Sequence, residues 1–322
     1  MGILCRAGWA LILGIPLLYR LPPEKPKAIR LSEVLSIGSL EDDLIFFITS
    51  VATDEQGFVY LTDSQECSLK KFDAAGHLVQ KTGRKGQGPG DFQFPVIVRY
   101  SEGRVYVVDQ RLLGIQIFDT ELKYLDHLQL EFPIFDFRVL PQGRIFVSSP
   151  ALVNVPPIVQ IAPKEIKDPV SLKTRLDEDF WQSNGKFEFD REGNIVFVTS
   201  FEDKVIKFSP ERSLLWEKSL MGGKRSGVLR ARTSSGSIRV PTEMVYKDVA
   251  VDQNGFIFVL AGHLAEHRSR DVYVLDSEGN NITAFTLPEP THFIHIDKHN
   301  YLFSKAAEGV TLIKYRMDYV FK

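Results

Sequence analysis

An all-β fold of six four-stranded antiparallel blades closed into a propeller is predicted for this 322-residue chain by a short strand unit and its recurrence. The unit is clearest in FPVIVRYSEGRVYVVDQRLLGIQIFD, residues 94–119. There Pro95–Tyr100 ends at a Ser-Glu-Gly turn, Arg104–Asp109 alternates and is β-branched, and Gly114–Asp119 closes on an aspartate. None of these strands can bury a face alone, so the unit needs neighbours. Its turn glycine recurs at Gly57, Gly103, Gly143, Gly193 and Gly255, with Asn300 in sixth place, at steps of 46, 40, 50, 62 and 45 residues. An acidic or polar residue stands two or three positions before each turn. A strand such as FVYLTD, RVYVVD or FIFVLAG follows it, and then a third such as SLKKFD, GIQIFD or DVYVLD. Six such antiparallel repeats fit radial blades better than a solenoid or a sandwich, because the ring closes on itself and protects its edges.

The chain ends fit the same scheme. Arg6 precedes the uncharged run AGWALILGIPLLY, Ala7–Tyr19, followed by Arg20 and the proline-rich LPPEKPKA. The run is shorter than the roughly 20 residues that span a bilayer, and it reads as the apolar core of a secretory signal or short signal-anchor. Residues 1–27 are therefore assigned to a leader with its linker and 28–322 to the propeller. Strand-like segments of the sixth repeat lie at 293–297, 301–305 and 310–315, with little chain left for an outer strand. The alternating AIRLSEVLSIG, residues 28–38, is expected to supply it and close the ring.

At 44% hydrophobic and 25% charged, the chain can bury a large core as one domain. A formal net charge of −2 gives no global attraction to nucleic acid or anionic membrane. Cys5 and Cys67 lie on either side of the expected processing point, so no disulfide framework is indicated, and Cys67 reads as a small hydrophobe.

The segment GQGPGDFQFP, residues 86–95, with its flanking VYLTD, LKKFDAAGHLV and VYVVD, resembles the NHL-type six-bladed propellers of bacterial extracytoplasmic proteins. The resemblance spans nearly the whole chain after about residue 28, although the GQGPGDF signature is well matched once, between the first two repeats. It implies the propeller fold and an extracytoplasmic, periplasmic or secreted, setting. It implies little about activity, since propellers host scaffolds, binders and enzymes alike.

Loops that lead into each innermost strand, and those between second and third strands, gather on one face. The longest are 83–94, 149–157, 164–185, 222–241 and 261–270. Binding residues are commonly carried on such loops. Segment 222–241 contains Lys224, Arg225, Arg230, Arg232 and Arg239 without an acidic residue, and Arg268 and Arg270 follow in the next long loop. This cluster suits a carboxylate, phosphate or sulfated polymer, or else is a solvated loop. Few aromatic residues interleave with it, which argues against single-stranded nucleic acid.

Counting back from the turn residues gives the innermost strands. Six positions back are Val51, Ile97, Phe137, Phe187, Val249 and Ile294, all apolar and expected to pack between blades. Five back, pointing into the channel, are Ala52, Val98, Arg138, Glu188, Ala250 and His295; seven back are Ser50, Val96, Asp136, Lys186, Asp248 and Phe293. Asp136, Arg138, Lys186, Glu188, Asp248 and His295 are therefore the candidate ligand site at the channel mouth. The competing reading is a ring of charges that neutralise one another.

His263 and His267 have the spacing HLAEH, with His292 and His295 in the next repeat; they would stack as metal ligands only if the loop were helical. The order is not HEXXH, and no nucleophile elbow or phosphate-cradling loop is present. Two functions remain. One is a non-catalytic binding or scaffold module, without cofactor, for a protein or a small polar or anionic ligand, touching membrane only through its leader. The other is a propeller lactonase, hydrolase or lyase, which would need a divalent ion such as calcium or zinc.

Overall fold

A computed structural model of the chain describes residues 24–149, 151–152, 157–162, 184–233 and 236–321. Residues 1–23, within the expected leader, and residues 163–183, most of the expected loop 164–185, lie outside the described residues.

The six repeats fold as six antiparallel sheets. After β1 (Ala28–Ile37), the first blade is β2 (Ile48–Thr53), β3 (Val59–Asp63), β4 (Ser68–Phe72) and β5 (Leu78–Thr82). The second is β6 (Pro95–Ser101), β7 (Arg104–Asp109), β8 (Gly114–Asp119) and β9 (Tyr124–Gln129). The third has β10 (Asp136–Leu140), β11 (Arg144–Ser148) and β12 (Ile158–Ala162) among the described residues. The fourth comprises β13 (Gly185–Phe189), β14 (Ile195–Thr199), β15 (Val205–Phe208) and β16 (Leu214–Lys218). A hairpin of β17 (Val228–Thr233) and β18 (Gly236–Pro241) leads into the fifth blade, β19 (Tyr246–Val251), β20 (Ile257–Ala261), β21 (Asp271–Leu275) and β22 (Asn281–Thr286). The last blade is β23 (His295–Ile296), β24 (Tyr301–Lys305) and β25 (Leu312–Val320), and β1 pairs with β25 as its outer strand, as the chain ends predict.

The turn positions explain the periodicity. Gly57, Gly103, Gly143, Gly193, Gly255 and Asn300 all adopt φ between 61° and 88°, the left-handed region that glycine enters freely and asparagine enters most readily after it. In four of these turns an aspartate three residues earlier (Asp54, Asp190, Asp252, Asp297) accepts the N–H groups two and four residues on, at 2.8–3.0 Å. That is why an acidic residue recurs before the glycine.

The second strands β3, β14 and β20 are buried at every position. Each is covered on both faces by neighbouring blades, so its sequence is a continuous apolar run rather than an alternation. The outer strands β5, β9 and β16 are largely exposed. Six apolar clusters fill the six blade interfaces, among them Val51, Leu61 and Phe72 against Phe303 and Leu312 where the sixth blade meets the first. Cys67 is buried in one of them, beside Leu69 and Phe92. The signature loop wedges between the first two blades. Phe92 is wholly buried, Gln116 holds the N–H of Gly90 and the carbonyl of Asp91, and a Cβ at Gly86 would collide with the Asp91 carboxylate.

Candidate functional site

The innermost strands surround a cavity of about 390 Å³, to which all six blades contribute. Arg138, Lys186, Glu188, Asp248 and His295 line it. Asp136 does not: it lies fully buried beneath them.

One register differs from the expectation, and it changes the site. In five blades the residue five positions before the turn faces the residue three after it: Ala52 with Tyr60, Arg138 with Phe146, Glu188 with Val196, Ala250 with Phe258, His295 with Phe303. In the second blade Ser101 pairs with Arg104 across a two-residue turn, Glu102 and Gly103, both at positive φ. This tight primed turn removes one residue from the count. Arg99, paired with Tyr106, therefore takes the channel position, and Val98 is buried between blades. A shift of one residue exchanges the two faces of a strand. The missing aspartate does not by itself mark the shift, because the third-blade turn at Gly143 lacks one as well and keeps the regular register, with Arg138 opposite Phe146.

Arg99 and Arg138 converge on one carboxylate. Oδ1 of Asp136 accepts from Arg99 at 3.0 Å and from Arg138 at 2.8 Å, and Nζ of Lys186 stands 3.9 Å away. Oδ2 accepts the N–H of Phe187 at 3.3 Å. Arg138 also donates through Nε to Glu188 at 2.8 Å, and the guanidiniums lie over Phe137 and Phe187. Burial alone would raise the Asp136 carboxyl, but Arg138, Lys186 and Arg99 outweigh it and hold it down at about 2. Burial opposes the charge on Arg138 too, and Asp136 and Glu188 reverse that and raise its pKa. These charges are paired with one another across blades two to four.

The opposite side differs. The oxygens of Asp248 accept the N–H groups of Val249 and Ile294, both at 3.0 Å, and burial raises its carboxyl to about 6. His295 shares a 2.8 Å hydrogen bond with Thr53; burial, Arg99 and Arg138 hold it neutral, down to about 3. Because the folded pKa of Asp248 exceeds its unfolded value near 4, its stabilising contribution is complete below that pH and disappears as pH rises through about 6. The change is on the order of 3 kcal/mol. The stability difference between the wild type and Asp248→Asn should shift over this window in unfolding titrations at several pH values; a constant difference would rule this out.

The basic segment 222–241 is not a loop but contains the hairpin β17–β18, with Arg230 opposite Arg239 and Arg232 exposed. Arg225 lies 3.9 Å from Glu202, and the carbonyl of Lys224 accepts the N–H of Asp203. Asp203 anchors the base of this excursion by accepting from Leu220, Met221, Gly223 and Tyr246. None of the five basic residues lines the channel cavity. The HLAEH loop forms turns and bends, not a helix, so His263 and His267 are not stacked as helical spacing would place them. Among the described residues no group of three or more His, Cys, Asp or Glu side chains is placed to hold a metal ion.

Fold and channel together define a six-bladed β-propeller with a polar axial pocket. Solved structures similar to it include virginiamycin B lyase from Staphylococcus aureus (TM-score 0.55, 11% identity, covering 89% of this chain and 99% of that one). BamB from Moraxella catarrhalis is also similar (0.50, 12%, 89% and 100%), as is a protein from Bacteroides fragilis whose name marks it as exported (0.57, 11%, 90% and 95%). At such identities the likeness establishes the fold alone. No family model and no curated protein matches the chain.

Proposed function

We propose that this propeller is a non-catalytic binding module of the extracytoplasmic space that holds a small polar ligand, or a segment of a protein partner, in its axial pocket. The observation that carries this reading is the cavity of about 390 Å³, where polar side chains from several blades converge on rigid strands. The apolar run at Ala7–Tyr19 supports export, and the GQGPGDF resemblance to NHL-type propellers points the same way. The channel carboxylates favour binding over metal-dependent catalysis. Asp136 and Glu188 are engaged by Arg99 and Arg138, and Asp248 by backbone N–H groups, which leaves few oxygens to ligate an ion. No cofactor is invoked.

The test is a panel of small polar compounds of either charge, screened by ligand-observed NMR against the full chain and against Val96→Trp, which places an indole against the cavity wall. Binding by the wild type that Val96→Trp abolishes is expected. Compounds that bind both proteins equally would overturn the channel as the site.

A further inference from the structure

On the reading of the channel as a ligand pocket, we propose that Asp248 is the counter-ion for a nitrogen cation, the ammonium or guanidinium group of a small organic ligand. That group would take, in the fifth blade, the place that arginine holds in the third.

Asp136 and Asp248 hold equivalent positions in their blades. Each stands seven residues before its turn glycine and faces the residue five after it, Ser148 for Asp136 and Leu260 for Asp248. Each also grips the next blade in the same way: Oδ2 of Asp136 accepts the N–H of Phe187 at 3.3 Å, and Oδ2 of Asp248 accepts that of Ile294 at 3.0 Å. They differ in what meets the rest of the carboxylate. Asp136 has two guanidiniums, from Arg138 two residues on in its own strand and from Arg99 at the channel position of the preceding blade. For Asp248 the same two positions hold Ala250 and Glu188, and neither is a cation.

The consequence is a carboxylate open to the pocket. Asp136 is fully buried and does not line the cavity, whereas Asp248, at 8% exposure, lines it together with Ala250. Among the described residues Oδ1 of Asp248 accepts only the N–H of Val249, and no Lys, Arg or His lies within ion-pair distance. Lys186 of the fourth blade leans the other way: its Nζ donates to the carbonyl of Phe135 at 3.2 Å and stands 3.9 Å from Asp136. Asp54 and Asp109 are also buried without an ion pair among the described residues, but Asp54 accepts from Gln56, Phe58 and Tyr60, and Asp109 from four backbone N–H groups. A carboxylate offers about four lone-pair sites, so roughly half of those of Asp248 stay open. That is too few for a metal ion such as calcium, which takes roughly six to eight oxygens, and enough for the N–H donors of an organic cation.

The electrostatics follow the same division. Burial raises the Asp248 carboxyl to about 6 and Asp136 adds to this, although Lys186 of β13, Arg138 of β10 and Arg99 of β6 act against it. Those three cations, two of them in direct contact, hold Asp136 at about 2. His295 of β23, also on the cavity wall, is held neutral and supplies no counter-charge. Arg138 and Arg99 are matched by Asp136 and Glu188, which leaves Asp248 as the carboxylate of this cavity without a cation in contact. A small side chain at Ala250 gives a ligand cation the approach that Arg138 uses in the third blade, and the cavity of about 390 Å³ has room for the rest of a small molecule.

The experiment titrates the full chain with methylammonium and methylguanidinium, and separately with potassium, at constant ionic strength and about pH 7.5, above the Asp248 pKa, following calorimetric heat. Wild type, Asp248→Asn, Ala250→Arg and the surface control Asp126→Asn are compared. Saturable binding of an organic cation, weakened about tenfold or more by Asp248→Asn, abolished by Ala250→Arg and unaffected by the control, is expected. No saturable binding, equal binding by Asp248→Asn, or an equal response to potassium would overturn the assignment. In Ala250→Arg the Asp248 carboxyl, followed by its ¹³C resonance, should titrate well below its wild-type value of about 6, as Asp136 does beside Arg138; an unchanged titration counts against the site. If a variant fails to fold, the same resonance in the wild type decides: it should move with methylguanidinium, and a stationary signal overturns the proposal. Panel compounds blocked by Val96→Trp but indifferent to Asp248→Asn would overturn the cation site and leave the channel reading intact.

Discussion

A chain that begins at Ser39, and so lacks β1, should unfold about 10 °C or more below one that begins at Glu24. β1 pairs with β25 along nearly its whole length, from Ala28 with Val320 to Ile37 with Leu312, interrupted by one bulge near Val34. Ile29 and Leu31 pack into the cluster between the fifth and sixth blades, and Ile37 and Leu35 into the one between the sixth and first. Burying such a side chain is worth about 1.5–3 kcal/mol when complete, so four of them, two only partly covered, contribute roughly 5 kcal/mol. That is a large fraction of the net stability of about 5–15 kcal/mol usual for a folded domain. The strand also ties the ring to its neighbour, since the carbonyl of Lys27 accepts from Thr283 and Lys25 pairs with Asp276 of the fifth blade. Its removal would leave β25 an open edge prone to association. Calorimetry of the two chains is the check, and equal midpoints would show that the ring closes without its outer strand.

Replacing Asp136 by Asn should cost about 3–5 kcal/mol, the range expected when one partner of a buried ionic cluster is removed. Three cations share this carboxylate, and among the described residues only Arg138 has a second one, Glu188. The amide keeps the shape but not the charge, leaving Arg99 and Lys186 without their counter-ion. The pH dependence follows from the same geometry. The folded pKa, about 2, lies below the unfolded value near 4, so this stabilisation is complete above about pH 4 and is lost as pH falls towards 2. Urea unfolding of Asp136→Asn should therefore show a deficit at pH 7 that narrows in acid. Adding Arg99→Met should recover part of it, since one fewer cation is then left unpaired. A loss below about 1 kcal/mol would place the pair with ordinary surface salt bridges and refute the structural role.

The sequence alone determined the blade count, the turn positions and the strand that closes the ring. Each depends on local backbone chemistry, such as the positive φ of Gly57 or Asn300 and the Asx-type bonding of Asp54, or on an apolar pattern that only a sheet covered on both faces requires. The buried interior positions at Val51, Phe137, Phe187, Val249 and Ile294 were legible for the same reason, whereas in the second blade Val98 takes the place expected of Ile97. Tertiary structure decided which charges meet. A two-residue turn at Glu102 and Gly103 carried Arg99 into the channel in place of Val98, and a parity of one residue is invisible when only the turn glycine is aligned. The basic stretch 222–241 became a hairpin anchored at Asp203, because the carboxylate that holds it lies in an earlier strand connection. Asp136 and Asp248 hold equivalent strand positions, yet only Asp136 meets a guanidinium from the preceding blade, because the shortened turn puts Arg99 there. Nothing local to Asp248 marks it as buried without a counter-ion, since that property depends on which side chain the neighbouring blade presents.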